Sequence, residues 1–256
     1  MNCTRTGRPF RSLINVRERV AAAFARLPAW QDWDAPWPES FDAAIAEGLP
    51  EFAPSIAWAH RQTISSKASS IACISHPIRR VSGKADVIVA SEVAPVWFVS
   101  ASRDSENFFR WLIIETTVNP DELAALAPFA FQGLDFVEGS FNGIKAMSKP
   151  YRTLVPTVVK HLAALSDDGA RIFSDDWARV SAEFGSLGID ISDENGETKG
   201  NRVARIERTR TVNGEPRIFW WHTKLERHQD RIHLCPLKVR DGGRILVGIF
   251  CHHLST

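Results

Sequence analysis

Residues 202–253 read RVARIERTRTVNGEPRIFWWHTKLERHQDRIHLCPLKVRDGGRILVGIFCHH, and this stretch decides the fold. Asn213-Gly214 stands between two extended, β-branched runs. That dipeptide tolerates positive φ at both central positions of a two-residue hairpin turn. Asp241-Gly242 gives a second turn signal, and residues 226–230 a third connection. The reading is four consecutive strands near 202–212, 216–225, 231–238 and 244–253. Short links between chain neighbours predict an antiparallel meander.

Working outward, residues 151–165 (YRTLVPTVVKHLAAL) predict a helix, with Pro156 expected to kink or shorten it. Residues 175–187 predict a second, with Trp177, Val180, Phe184 and Leu187 on one face. Further upstream the chain turns β-rich between about 70 and 118, where three or four short strands are expected. The run ENFFRWLIIE (106–115) fits strand or helix. Residues 121–126, 40–47, 54–63 and 12–27 predict helices. Residues 128–148 predict a loop or edge strand. Trp30, Trp33 and Trp37 are expected to pack a loop or core. The fold class is therefore α+β. A mixed, acidic region (1–148) precedes a basic region (149–256), in which a helix pair is followed by a four-stranded antiparallel meander.

At 256 residues, 44% hydrophobic and 24% charged, the chain has the composition of a globular protein with a sizeable core. No apolar run approaches a membrane span, so no membrane partner is expected. The N-terminal residues lack a signal-peptide core. The four cysteines (3, 73, 235, 251) include no C-x-x-C pair. The expected setting is a reducing cytoplasm.

A net charge of +1 conceals an asymmetry. Residues 199–256 hold 12 Lys and Arg against 5 Asp and Glu, while residues 1–198 hold 19 against 25. A basic segment of this kind suits phosphate, or docking on the protein's own acidic part.

Strand alternation places Ile245, Val247, Ile249 and Cys251 on one face of the last strand, with Arg244, Leu246, Gly248, Phe250 and His252 on the other. In the third strand Ile232 and Leu234 oppose Arg231, His233 and Cys235. The polar set could gather Arg231, His233 and His252 with His222 and Lys224. Metal-free RNA cleavage needs a base for the 2′-OH, an acid for the leaving oxygen and cations for the phosphorane. Histidine, arginine and lysine supply these. His222 and His252 are the candidate base and acid, Arg231 a catalytic cation and Glu226 a reserve base. Lys224, Arg227, His233 and Arg244 are candidate nucleic-acid contacts. His233, Cys235, Cys251 and His253 are zinc-type ligands, but their spacing matches no finger, and no metal or cofactor is expected. No phosphate-binding glycine loop or nucleophile elbow occurs.

The helix pair and meander, with Lys224-Leu225, Arg231-Ile232, the apolar run 245–250 and His252-His253, resemble the RelE/ParE toxin superfamily over about 149–256. That resemblance implies an RNA or ribosome partner in the RelE branch, whose members include ribosome-dependent ribonucleases; the ParE branch targets gyrase instead. It also implies a protein inhibitor. The first 148 residues depart from the small stand-alone toxin pattern. Two other readings fit the residues: a non-catalytic interaction protein using the C-terminal sheet, and a metal-dependent nuclease using Asp86, Glu92 and Glu115.

Overall fold

The computed structural model describes residues 37–46, 48–65, 71–74, 81–227, 229–236, 239 and 243–255. The expected helix at 12–27, Trp30, Trp33 and the Asp241-Gly242 turn lie outside these residues. The chain divides into two compact units, Met1–Lys67 with Asp86–Val96, and Ala68–Ala85 with Trp97–Thr256. The fold is α+β. The expected boundary at 148/149 falls inside the second unit, because Ile113, Leu123 and Phe131 share one core with Leu162, Ile232 and Phe250.

In the first unit, β1 (Asp42–Ile45) pairs antiparallel with β2 (Glu51–Phe52), Asp42 opposite Phe52. A strand thus stands where a helix was expected at 40–47. Its alternating Ala43 and Ala44 side chains are small enough to bury in the sheet. Helix α1 (Pro54–Ser65) follows, burying Ala57, Trp58, Ala59 and His60. Its His60 Nε2 lies 3.0 Å from the Glu92 carbonyl. Strands β4 (Gly83–Val89) and β5 (Glu92–Val99) contribute residues to both units, and β1 pairs with β4 through Ala44 opposite Ile88.

In the second unit β3 (Ala72–Ile74) runs parallel to the end of β5. The ambiguous 106–115 run is helical, within α2 (Ser102–Thr116). Asp104 fixes its start. The carboxylate accepts from Ser82 Oγ (2.6 Å), Ser100 Oγ (2.7 Å) and the Ser100 and Ala101 amides (3.0 Å each). Those bonds, the Ser82 hydroxyl foremost, hold the carboxyl down to about 2. Asp104→Ala should cost about 2 kcal/mol in urea unfolding, since it removes a cap and leaves four donors without their acceptor.

Helix α3 (Pro120–Ala130) is capped by Asn119, whose Oδ1 accepts from the amides of Asp121 and Glu122. Of the loop or edge strand expected at 128–148, the chain forms an edge strand, β6 (Leu134–Phe136), followed by a 3-10 turn (Ser140–Ala146). Helix α4 (Tyr151–Ser174) runs for 24 residues and buries Leu154, Val158, Leu162, Leu165 and Phe173 along one stripe. Pro156 does not shorten it. It sits in the second turn on the exposed side, where the Arg152 carbonyl that loses its amide partner can meet solvent. Helix α5 (Val180–Ser186) completes the predicted pair.

The main sheet follows the order β6-β12-β11-β10-β7, built from β7 (Ile191–Ser192), β10 (Trp221–Glu226), β11 (Gln229–Cys235) and β12 (Ile245–Cys251). Four of its strands are antiparallel neighbours, and β6 adds a parallel edge on β12, Leu134 opposite Ile245. The fourth antiparallel strand is β7, not residues 202–212. There Asn201 caps a helix, accepting from Val203 N at 2.8 Å, so residues 202–207 form α7 after the short α6 (Gly196–Gly200). Strands β8 (Thr209–Val212) and β9 (Glu215–Ile218) form a separate ribbon. Its turn has the predicted geometry, with φ of 51° at Asn213 and 80° at Gly214.

Candidate functional site

The sheet has two unlike faces. Trp221, Leu225, Ile232, Leu234, Ile245, Val247 and Phe250 belong to the core shared with α4. A bulge between His233 and Leu234 shifts the register against β12, so Leu234 faces Val247 while His233 faces Ile249. Gly248 is the extra residue, and a Cβ there would lie 2.2 Å from the Phe219 ring. The bulge resets alternation. Phe250 therefore turns to the core, whereas Ile249 joins Cys235 and Phe219 in a second apolar cluster, with Cys251 packed against it. Strict alternation had these reversed.

On that second face His222 stands directly opposite His233, ring centres 5.1 Å apart. Both are buried. His233 Nδ1 lies 3.1 Å from the Phe219 carbonyl, which makes it the protonated nitrogen; Nε2 has no partner. His222 Nε2 is 3.3 Å from Ser192 Oγ, and its Nδ1 is 3.4 Å from Glu194 Oε1, a distance without hydrogen-bond alignment. One donor atom from each of Glu194, His222 and His233 lies within 4.8 Å of the other two. Burial pushes His222 down to about 4 against the pull of Glu194. Burial and the facing His222 hold His233 well below the usual imidazole range. Both rings are neutral at pH 7. Glu194 is held in turn by the buried Arg208 (2.8 and 3.0 Å), whose Nη1 also donates to the carbonyls of Ala204 and Ser255.

His252 lies elsewhere. It leaves the end of β12, where its carbonyl accepts from Asp230 N at 2.7 Å. Its Nδ1 is 3.0 Å from Asp230 Oδ1, and half of its side chain is exposed. Asp230 is wholly buried, with φ of 56°. Its carboxylate also accepts from the amide and hydroxyl of Ser148. The expected gathering of His222, Arg231, His233 and His252 therefore does not form. Two histidines are buried under residues 192–219, and the third is held at the strand end by a carboxylate.

No family, curated protein or solved structure matches this chain.

The remaining candidate residues divide between these places. Arg231 sits opposite Lys224 on the histidine face, half-buried, and its charge acts on His222, His233 and Cys251. Lys224 pairs with Asp190 at 3.1 Å. Glu226 pairs with Lys149 next to Ser148, and exposed Arg227 occupies the β10–β11 turn, three residues from Asp230. Arg244 pairs with Asp135 at 3.4 Å, on the far end of β12. With Lys199–Asp193 and Arg208–Glu194, four cations of the basic segment are matched by acids that precede it. Cys235 is buried in the apolar cluster, and burial pushes the Cys251 thiol up to about 12. Among the described residues no helix is long and apolar enough to cross a membrane.

Sequence reasoning missed Asp230, Ser148, Glu194 and Arg208. The first was read as part of the connection at 226–230. A positive-φ aspartate beside a hairpin turn gives no sequence signal of a partner 82 residues away.

Proposed function

We propose that the C-terminal part of this protein engages RNA and cleaves it without a catalytic metal, with His252 as the proton-transfer group. One observation carries the reading: a half-exposed imidazole whose Nδ1 is held by a wholly buried carboxylate. A carboxylate on Nδ1 selects the tautomer with Nε2 unprotonated, orients the ring and stabilises the imidazolium formed after proton uptake. His252 Nε2 is thereby a base for a 2′-OH. Arg227 and Lys149 are the cations at the same end of the sheet, suited to phosphate contact, and Glu226 remains the reserve base. The resemblance to the RelE branch supports the same substrate class. His222 and His233 take no part, because buried rings cannot reach a polymer. Arg231, Lys224 and Arg244 contribute only at the periphery.

In Mg²⁺-free buffer His252→Ala, measured where circular dichroism shows it folded, should lower cleavage of a single-stranded RNA at least about 100-fold, within the range for loss of one acid–base group. Asp230→Asn should lower it too, by releasing the ring. Failure of the wild-type protein to retain RNA at low salt would reject the proposal.

A second reading has its own support. Helix α7 exposes Val203 and Ile206, 56% and 64% accessible, each directly after an arginine, Arg202 and Arg205. A protein partner with an apolar, acidic face fits that surface. In that case Val203→Asp would abolish complex formation and leave RNA binding unaffected.

A further inference from the structure

The geometry points to a divalent transition-metal site of the zinc class, formed by Glu194, His222 and His233. Its donor set is two imidazoles and one carboxylate, which suits zinc and neighbouring first-row ions. Metal-bound histidines characteristically use one ring nitrogen for the ion and engage the other in a hydrogen bond that fixes the tautomer. Both rings follow that pattern. His233 uses Nδ1 on the Phe219 carbonyl, which leaves the buried Nε2 without a partner. His222 uses Nε2 on Ser192, which leaves Nδ1 facing Glu194 at 3.4 Å.

Bonds of 2.0–2.2 Å in a tetrahedron separate donor atoms by about 3.4 Å. His222 Nδ1 is 3.4 Å from Glu194 Oε1, whose lone pairs Arg208 occupies, so Oε2 is left for the ion, and one donor atom of each residue lies within 4.8 Å of the other two. Small side-chain rotations close the set. A histidine lone pair buried with no donor is an unfavourable arrangement by itself, and a cation resolves it.

The facing charges have to be weighed. Arg208 binds Glu194 Oε1, and Arg231 acts on both rings. Arg208 is compatible with a metal. A carboxylate has about four lone-pair positions, and ligating carboxylates are themselves commonly hydrogen-bonded. Arg231 opposes the ion and weakens the site. Three protein donors leave a further coordination position.

The elements joined give the site its role. Glu194 follows β7, while His222 and His233 stand on β10 and β11. An ion at their centre ties the covering segment of residues 193–208 to the middle of the sheet. It acts as a structural brace, distinct from the proton-transfer group at His252.

The test uses the full chain carrying His252→Ala and His253→Ala, which removes the two exposed histidines among the described residues, together with His76→Ala and His228→Ala, so that no other surface histidine competes. Titration with Co²⁺ should give stoichiometric visible d–d bands, bleached by one equivalent of Zn²⁺, and Zn²⁺ should raise the melting temperature by several degrees. Glu194→Gln and His233→Gln, added separately, should each weaken Zn²⁺ binding at least tenfold. If either fails to fold, the Co²⁺ titration of the host protein decides. Absence of one-to-one binding at micromolar metal, or binding undiminished in a folded Glu194→Gln protein, would overturn the assignment. The pair would then be an ordinary stacked buried histidine pair.

Discussion

Gly143→Ala should lose about 4 kcal/mol or more of stability, a large part of what a domain usually has. A Cβ at this position falls 1.7 Å from the Phe250 carbonyl oxygen and 2.8 Å from its carbonyl carbon. The obstacle is backbone, not a side chain that can swing away. That backbone belongs to β12, paired on both sides by β11 and β6. The 3-10 turn must move off the strand, which breaks the stack of Phe141 on Phe250 (4.9 Å between centres) and opens the core. Losses of this size belong to overpacked or disrupted cores. Urea unfolding monitored by tryptophan fluorescence measures it. Gly196→Ala is the control, since nothing lies within 4 Å of its Cβ; it should change stability by under about 1 kcal/mol.

The second large effect is expected at Arg110. This buried guanidinium grips Asp167 with two bonds (2.9 and 2.7 Å), Glu106 at 3.1 Å and the Ala130 carbonyl at 2.8 Å, joining α2, the end of α3 and α4. Arg110→Met fills the volume but leaves Asp167 in a largely desolvated place. Removing one member of a buried pair costs about 3–5 kcal/mol. Replacing Asp167 by Leu as well should recover part of the loss.

The pH dependence follows from Asp167. Burial alone would raise its carboxyl, but the hydrogen bonds and charges of Arg110 and Arg103 outweigh burial and hold it below the usual range. A depressed folded-state value means that the pairing contributes fully above the unfolded carboxyl value, about 3.9. The contribution is lost as pH falls through the folded value. The difference in unfolding free energy between wild type and Arg110→Met should therefore be largest near neutrality. It should shrink below about pH 4, where Asp167 takes up a proton and no longer needs its partner. A difference independent of pH would show that packing, and not charge, makes the contact.

What was legible in the sequence is what local chemistry determines. The Asn213-Gly214 turn, the stripe of α4, and strands β10, β11 and β12 all follow from φ preference or periodicity. Two local features still misled. RVARIE runs straight into the extended segment before the Asn213-Gly214 turn and was read as part of that strand, yet Asn201 supplies both the cap and the start of a helix. Gly248 looked like one more strand residue, yet it is where Phe219 packs against bare backbone, and that contact turns the strand end over. The long-range features had no local sign. The parallel pairing of β6 joins Leu134 to Ile245, Arg110 finds Asp167 across 57 residues, and Ser148 finds Asp230 across 82. The candidate sites were half legible for the same reason. Histidine content drew attention to β10, β11 and the end of β12, whereas nothing local marked Glu194 or Asp230 as their carboxylate partners.

The position of β12 bears on how the protein is made. This strand lies between β6 and β11, and Val247 and Phe250 sit inside the core that also holds Ile113 and Leu123. Residues 102–235 therefore cannot finish their sheet while the ribosome is still translating them. Until residue 250 has been added, β6 and β11 have no strand between them and both present open edges, the arrangement most prone to pairing with another chain. A nascent chain stalled before residue 245 should be degraded by protease, whereas a chain that extends through β12 resists it. Folding of this unit then waits for β12, with a rate limited by contacts made across more than a hundred residues.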